Sequence, residues 1–346
     1  MPTAESRVRV GLIGAGSMGA YTADIIARLP ALEVAGVADV NQPAARALGE
    51  KLGVPWWTDH RELLARCACD AVGISTPHDT HHAISLDAAG AGRHIFCEKA
   101  MAIHVAECHA MIAAARAAGV KLMVGHKRRF RPAYAELKRL LDRGEFGRPM
   151  ALNVQGFFGR KLSGWWARRT ACGGLLHWAG VHDVDTIRYL LGEVREVYAL
   201  DGPKLFPNDT DYQDALAFTL KFANGAVGSF QVSTYYPLAS YRTAFAYQIV
   251  CEHGGLAYDP RQVAVHAQKY GQPMTTTFFE GYGHDVAFDK EWSNFAAWVL
   301  HDEPPILTGE DGLRCVEILQ AAYLSVALGQ PVKLPLAATE RRPWSA

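Results

Sequence analysis

The chain opens as a series of short apolar runs separated by amphipathic stretches, and its pattern changes near residue 126. Residues 8–13, VRVGLI, are almost continuously apolar. Three glycines follow at 14, 16 and 19, then a periodic run, AYTADIIARL, over 20–29. A near-continuous apolar run suits a strand covered on both faces, and a three-to-four residue period suits a helix packed on one side. The alternation repeats. LEVAGVAD (32–39) predicts a strand, 42–53 a helix, 55–57 a short strand and 60–67 a helix. CDAVGIST (69–76) predicts a strand, 81–92 a helix, HIFCEKA (94–100) a strand, 105–119 a helix and KLMVGH (121–126) a strand. Strand and helix in strict turn predict a doubly wound parallel sheet.

Beyond residue 126 the runs lengthen and alternate. PAYAELKRLLDRG (132–144) predicts a helix. PMALNVQGFFG (149–159), DALAFTLKF (214–222), AVGSFQVST (226–234), YRTAFAYQIVCE (241–252) and LAYD (256–259) predict strands with one packed face and one open or paired face. Asn224-Gly225 is a hairpin signal between two of them, and Gly254-Gly255 reads the same way. EWSNFAAWVL and EDGLRCVEILQAAYLSVALG predict two closing helices. The expected fold is α/β plus α+β: a parallel Rossmann sheet over 1–126, then an open, mostly antiparallel sheet with helices on one face over 127–346. Both chain ends are expected to be loose.

Composition narrows the function classes. A length of 346 residues suits two domains. Lys plus Arg balance Asp plus Glu at 35 each, which argues against nucleic acid or an anionic membrane as a partner. No apolar run approaches a membrane span, and the first residues lack the apolar core of a signal peptide. Seven irregularly spaced cysteines suggest reduced thiols in a cytoplasm. Cys67 and Cys69 read as ordinary small residues rather than a metal pair, and no metal site is expected.

The glycine run carries the first chemistry. Gly14-x-Gly16-x-x-Gly19 between a strand and a helix supplies a tight turn, a close approach for a pyrophosphate and close helix–strand packing. Ser17 and Met18 lie in this turn and join the cofactor-binding set, and the N-terminus of the helix that follows offers free N–H groups to phosphate. The second strand ends on Asp39, twenty residues past Gly19, where a carboxylate bonds the ribose 2′-hydroxyl of NAD. No cation follows it, so NAD is favoured over NADP. Ser75, Thr76, Pro77 and His78 form a loop at the carboxyl end of a strand, where ligands sit in open α/β sheets.

Other residues are candidates for the reaction. Lys99, just past a strand, suits a substrate hydroxyl; the alternative is an ordinary solvated lysine. His182 lies on a helix marked by Val181, Val184, Ile187, Leu190 and Leu191, and shares a face with Asp185 three residues on. The alternative is a capping or structural histidine. His177 is about 140° around a regular helix from His182, so a His177–His182–Asp185 metal site is disfavoured. Of the fourteen histidines, His78 and His126 are the two kept near cofactor or substrate. Trp165 and Trp166 lie in a polar loop with Arg168 and Arg169. Exposed indoles there suit stacking on a sugar ring, or equally a domain or oligomer contact.

Together, Gly14-x-Gly16-x-x-Gly19, STPHDTH (75–81), Glu98-Lys99, GHKRRF (125–130) and Gly180-x-His182-x-x-Asp185 resemble the glucose–fructose oxidoreductase / inositol dehydrogenase (Gfo/Idh/MocA) family. The likeness covers nearly the whole chain. It implies a Rossmann domain followed by an α+β domain, and NAD(P)-dependent oxidation or reduction of sugars, cyclic polyols and related compounds. It also implies association into a homodimer or homotetramer through the open sheet. Lys99 matches the lysine of a Glu-Lys-Pro motif, and His182 matches the histidine of an Asp-x-x-x-His pair; both are expected to be catalytic. Glu98 and Lys99 join the cofactor-binding set, and Lys99, His126, Trp165, Trp166, Arg168, Trp178 and His182 the substrate-binding set. Two residues depart from the pattern. Ala100 replaces the proline after the lysine, which makes a cis bond costly and points to a trans or reshaped turn. Trp178 replaces the family aspartate four residues before His182. Two further readings are a transient, NAD-using cleavage of glycosides and a non-catalytic NAD-binding regulator.

Overall fold

The computed structural model describes residues 7–157, 162–204, 209–234, 246–279 and 284–336. Two compact units emerge, one from residues 1–127 with 284–313, the other from 128–283 with 314–346.

In the first unit, β1 (Val8–Ile13), β2 (Leu32–Ala38), β3 (Trp56–Trp57), β4 (Ala71–Ile74), β5 (His94–Glu98) and β6 (Leu122–Gly125) pair in parallel, in the order 3-2-1-4-5-6. The order reverses between β1 and β4, which opens a ligand crevice at their carboxyl ends. The helices are α1 (Ser17–Ile26), α2 (Gln42–Leu52), α3 (His60–Arg66), α4 (His78–Gly90) and α5 (Val105–Ala117). Their starts follow local chemistry. Asn41 caps α2 by accepting the Ala44 N–H, and Asp59 caps α3 by accepting the Arg61 N–H. Gly53 ends α2 in the left-handed region.

The second unit contains α6 (Pro132–Asp142), β7 (Pro149–Phe157), a short helix α7 (Arg169–Cys172), a π-helical turn over Leu176–Gly180 and α8 (Val181–Leu191). Then come β8 (Val194–Asp201), β9 (Ala215–Phe222), β10 (Val227–Ser233), β11 (Ala246–Cys251), β12 (Gly254–Asp259), β13 (Ala264–Lys269) and β14 (Thr275–Phe278). The closing elements of the chain are α9 (His284–His301), α10 (Gly309–Leu328) and β15 (Val332–Lys333). Among the described residues the sheet has nine strands, ordered 14-13-12-11-7-10-9-8-15, antiparallel except for β7 beside β10. Alternation sets its faces: Leu216, Phe218, Leu220 and Phe222 of β9 are buried, while Ala217, Thr219 and Lys221 are exposed.

One turn differs from the expectation. The β11–β12 turn is Glu252–His253, and Gly254 and Gly255 are paired within β12 opposite Cys251 and Val250. The reason is crowding: a Cβ on Gly254 would stand 2.1 Å from the Gln268 carbonyl oxygen of β13. Asn224-Gly225 does make the β9–β10 turn, with Gly225 at φ 90°. Residues 241–245 of the predicted 241–252 strand lie outside the described residues.

Against one domain over 127–346, residues 284–313 belong to the first unit. Ala287, Phe288, Trp292, Phe295 and Ala296 form one apolar stripe along α9. Trp292 stacks on Phe96 of β5 with centroids 4.0 Å apart, and its ring lies against Gly73 of β4. Arg28 of α1 pairs with Asp289 at 2.8 Å.

Candidate functional site

The glycine turn follows β1 directly. Gly14 adopts φ 103°, donates its N–H to Ala38 and lies so close to the β4 end that a Cβ would stand 2.5 Å from the Ser75 carbonyl oxygen. A Cβ on Gly19 would stand 1.8 Å from the Gly14 carbonyl oxygen, so this glycine is the one that closes helix on strand. Gly16 differs: it is exposed, and a Cβ there would meet nothing within 4 Å. Gly16 is also the N-cap of α1, which starts at Ser17 rather than at residue 20 because the turn is already helical there. Ser17 is exposed and Met18 half-buried. The Asp39 carboxylate accepts the Ala15 N–H at 2.6 Å and the Asn41 N–H at 2.8 Å, which fixes it beside the turn. An open cradle at Gly16, the unpaired N–H groups of a helix start and a carboxylate at the end of β2 fit a dinucleotide.

The neighbouring strand ends complete this side. Ser75 donates its N–H to Ile13 at 2.8 Å. Ser75, Thr76 and Pro77 are half-buried, and α4 begins at His78 rather than at residue 81. His78 is therefore a buried helical residue and not part of an open loop. Its start is fixed by Pro77 at the N-cap and by Thr80, whose hydroxyl donates to Pro77 and bonds the Thr76 hydroxyl, both at 2.7 Å. His81, one turn on, is fully buried, with Nδ1 2.9 Å from the Ala100 carbonyl and Nε2 2.9 Å from the Thr76 carbonyl.

Lys99 follows β5 and is half-buried. Its N–H donates to Glu98 Oε2 at 3.3 Å. The Lys99–Ala100 peptide is cis without a proline, against the expectation of a trans or reshaped turn. Residues 100–103 are buried and the Ala100 carbonyl is tied to His81, so packing holds the turn in place of a proline ring. Glu98 is buried against Gly125, where a Cβ would stand 3.3 Å from its carboxyl group. Burial pushes its pKa up, and the Lys99 and Lys127 charges act against that rise. His126 is buried just beyond β6, its N–H on the Val124 carbonyl at 2.8 Å.

In the second unit the histidine helix begins through a π turn, a form frequent at functional sites. His177 within it is fully buried and lies parallel to Tyr323, centroids 6.0 Å apart. Gly173, at φ 81°, makes room for it: a Cβ there would stand 2.4 Å from His177 Cγ. Trp178 is buried, edge-on to Trp166 at 6.2 Å, and Trp166 stacks on Trp165 at 3.7 Å. The two loop indoles are half-buried and stacked on each other, not separately exposed, because stacking withdraws one face of each from water. Arg168 is exposed, whereas Arg169 bonds Gln213 and Asp211 and lies over Tyr323.

His182 is half-buried at the first turn of α8. Asp185, which spacing offered to it, is held by Arg129 through three contacts of 2.6–3.1 Å. Asp183 takes Arg128 at 2.5 Å and the Tyr247 hydroxyl. Burial pushes the Asp183 carboxyl up, and the Arg128 charge acts against it. These two buried pairs, and the His81 bridge, were not foreseen in the sequence. Their signal was a basic pair at 128–129 and an Asp-x-Asp at 183–185, which nothing in the linear pattern joins.

Comparison with known proteins bears on the family and the fold. Residues 8–126 match the model of an oxidoreductase family with an NAD-binding Rossmann fold, and residues 134–257 match the GFO/IDH/MocA C-terminal domain. The chain is 30% identical over 335 residues to the uncharacterized oxidoreductase YrbE of Bacillus subtilis, covering 95% of this chain and 97% of that one. It is 29% identical to the scyllo-inositol 2-dehydrogenase (NAD(+)) of the same organism over 341 residues, covering 95% and 97%. The crystal structure of an NAD binding oxidoreductase from Klebsiella pneumoniae superposes with a TM-score of 0.86 at 25% identity, over 96% of this chain and all of that one. No described helix is long and apolar enough to cross a membrane.

Proposed function

The chain belongs to the Gfo/Idh/MocA family of oxidoreductases, with NAD as its cofactor, and from that premise we propose that it oxidises a secondary alcohol of a cyclic polyol, sugar or sugar derivative. The observation that carries this reading is the retention of Lys99 beyond β5 and His182 at the start of α8, in a chain similar to an inositol dehydrogenase. NAD, when bound, supplies the hydride acceptor. Gly16, Ser17 and the start of α1 take its phosphates, Asp39 its ribose, and Ser75 to His78 with Glu98 complete its contacts. Lys99 donates a hydrogen bond to the reacting oxygen, and His182 takes the hydroxyl proton. His126, Trp165, Trp166, Arg168 and Trp178 contact the substrate, the stacked indoles offering a flat apolar surface to the C–H face of a ring.

A screen for NAD reduction over inositols, sugars, sugar acids and glycosides tests the reading. Lys99→Ala is expected to lose turnover and keep NAD binding; turnover undiminished in that variant would sink the assignment. Trp178, standing where the family has a carboxylate, favours one second reading: a glycoside is cleaved through transient oxidation. That reaction would release the aglycone without accumulating NADH. A protein that binds NAD and turns over nothing in the panel would be a regulator.

The open face of the nine-stranded sheet exposes Tyr198, Leu200, Val227 and Val250. We assign this face to a homodimer or homotetramer contact, since large apolar side chains clustered on an open sheet call for a cover. Sedimentation of Val227→Lys as a monomer would support it, and an unchanged assembly would refute it. We propose a cytoplasmic location, which seven irregularly spaced cysteines suit as reduced thiols.

A further inference from the structure

We propose that His81 is a positioning residue for the reaction: its buried ring, set between two backbone carbonyls, fixes the Lys99 turn to the cofactor turn. The inference rests on the reading of Lys99 as a catalytic group.

The bridge is short and buried. Nδ1 is 2.9 Å from the carbonyl of Ala100, the residue after Lys99, and Nε2 is 2.9 Å from the carbonyl of Thr76, in the turn after β4. Burial pushes the His81 pKa down, the Thr76, Ala100 and Met101 carbonyls act against that fall and the Lys99 charge adds to it, and the His78 ring lies 5.6 Å away. His81 shows no exposed surface, so water does not substitute for either contact. The two turns leave different strands, β4 and β5, and the sheet alone fixes only their starting points. His81 sits one turn into α4, a regular helix, so its backbone is the rigid part and its ring the strut. Burial favours the neutral ring, which has one N–H: it donates to one of the two carbonyls and packs against the other, so the ring is held between both turns by one hydrogen bond and one close contact. No uncharged aliphatic or amide side chain of this length reproduces both ends.

The consequence is a division of labour. Lys99 touches the substrate, and His81 sets where the lysine backbone begins. A displacement of about 1 Å in a catalytic group costs on the order of a hundredfold in rate. His81→Leu removes both ends of the bridge in a helix-compatible residue, and His81→Gln keeps a donor for one. Backbone hydrogen exchange is read for both variants without cofactor or substrate, and kcat and KM with NAD and scyllo-inositol as the probe, beside Lys99→Ala. The expected result is faster exchange over 98–103 and 75–78, no change elsewhere in the first unit, and a kcat lowered about a hundredfold with KM within about threefold. His81→Gln is expected to fall between wild type and His81→Leu. Exchange unchanged in these two segments overturns the bridge. Faster exchange with full kcat, in an enzyme that Lys99→Ala inactivates, overturns the positioning role. Full turnover in Lys99→Ala overturns the reading of Lys99 itself, and an inert probe leaves exchange to decide the bridge.

Discussion

The two glycines Gly16 and Gly19 separate the demands of folding from those of cofactor binding. An alanine at 19 would place its Cβ 1.8 Å from the Gly14 carbonyl oxygen, so the β1–α1 turn must move by more than an ångström to reach van der Waals distance. Overpacking of that kind costs about 1–3 kcal/mol, even though alanine favours a helix. For a unit of this size the cost lowers Tm by roughly 2–12 °C. An alanine at 16 meets no atom within 4 Å, and Gly16 has φ −71°, which alanine adopts freely. Loss of a glycine N-cap costs a few tenths of a kcal/mol to about 1, and the stiffer unfolded chain offsets about 0.4–1. Stability should thus stay within about 0.5 kcal/mol of wild type. The added methyl occupies the space a pyrophosphate needs, so NAD affinity should fall at least tenfold. Differential scanning calorimetry and NADH fluorescence titration read the two effects separately. A Gly16→Ala protein that binds NADH as wild type, or melts as low as Gly19→Ala, would refute the reasoning.

Other substitutions test the remaining parts. Arg129→Ala leaves Asp185 as an uncompensated buried carboxylate and should destabilise by about 3–5 kcal/mol in urea, whereas Arg129→Lys should restore part of that loss. Glu98 has a folded pKa raised by burial, so its carboxyl contributes most below the unfolded value and loses that contribution as pH rises through the folded one. Glu98→Gln should therefore gain on wild type in denaturant midpoint as pH rises from about 4 to 8. Trp178→Asp, which restores the family residue, empties a site beside Trp166 and buries a charge; a loss of at least about 3–5 kcal/mol in the same assay is expected. Asp39→Ala should weaken NAD binding and narrow the preference over NADP, read from the ratio of the two dissociation constants.

Much of the first unit was legible because its signals are local. Apolar runs fully buried in a parallel sheet, and glycines whose Cβ atoms would collide, appear directly as residue types at fixed spacing. Trp292 shows where this stops. Its stripe predicts an amphipathic helix, yet nothing local says which of two sheets the stripe covers; Gly73 and Phe96 decide that through shape. The Gly254-Gly255 pair misled for a related reason: Gly254 answers to Gln268 on the next strand, not to a turn. The same holds at the site. Lys99 and His182 stand out by motif, whereas His81 is marked only by two backbone carbonyls that any sequence would supply. Strands β8, β13, β14 and β15 escaped prediction because they are short or weakly alternating, and neighbours complete them.

Transfer of a deuterium label from carbon to cofactor tests the central claim most directly. The enzyme is incubated with NAD and inositols or sugars deuterated at each carbinol carbon in turn, and the nicotinamide is analysed by mass spectrometry and NMR. The account predicts reduced cofactor carrying deuterium at C4 from one specific carbinol position, with wild-type protein and not with Lys99→Ala. Bound NAD that acquires no label from any compound in the series would contradict it.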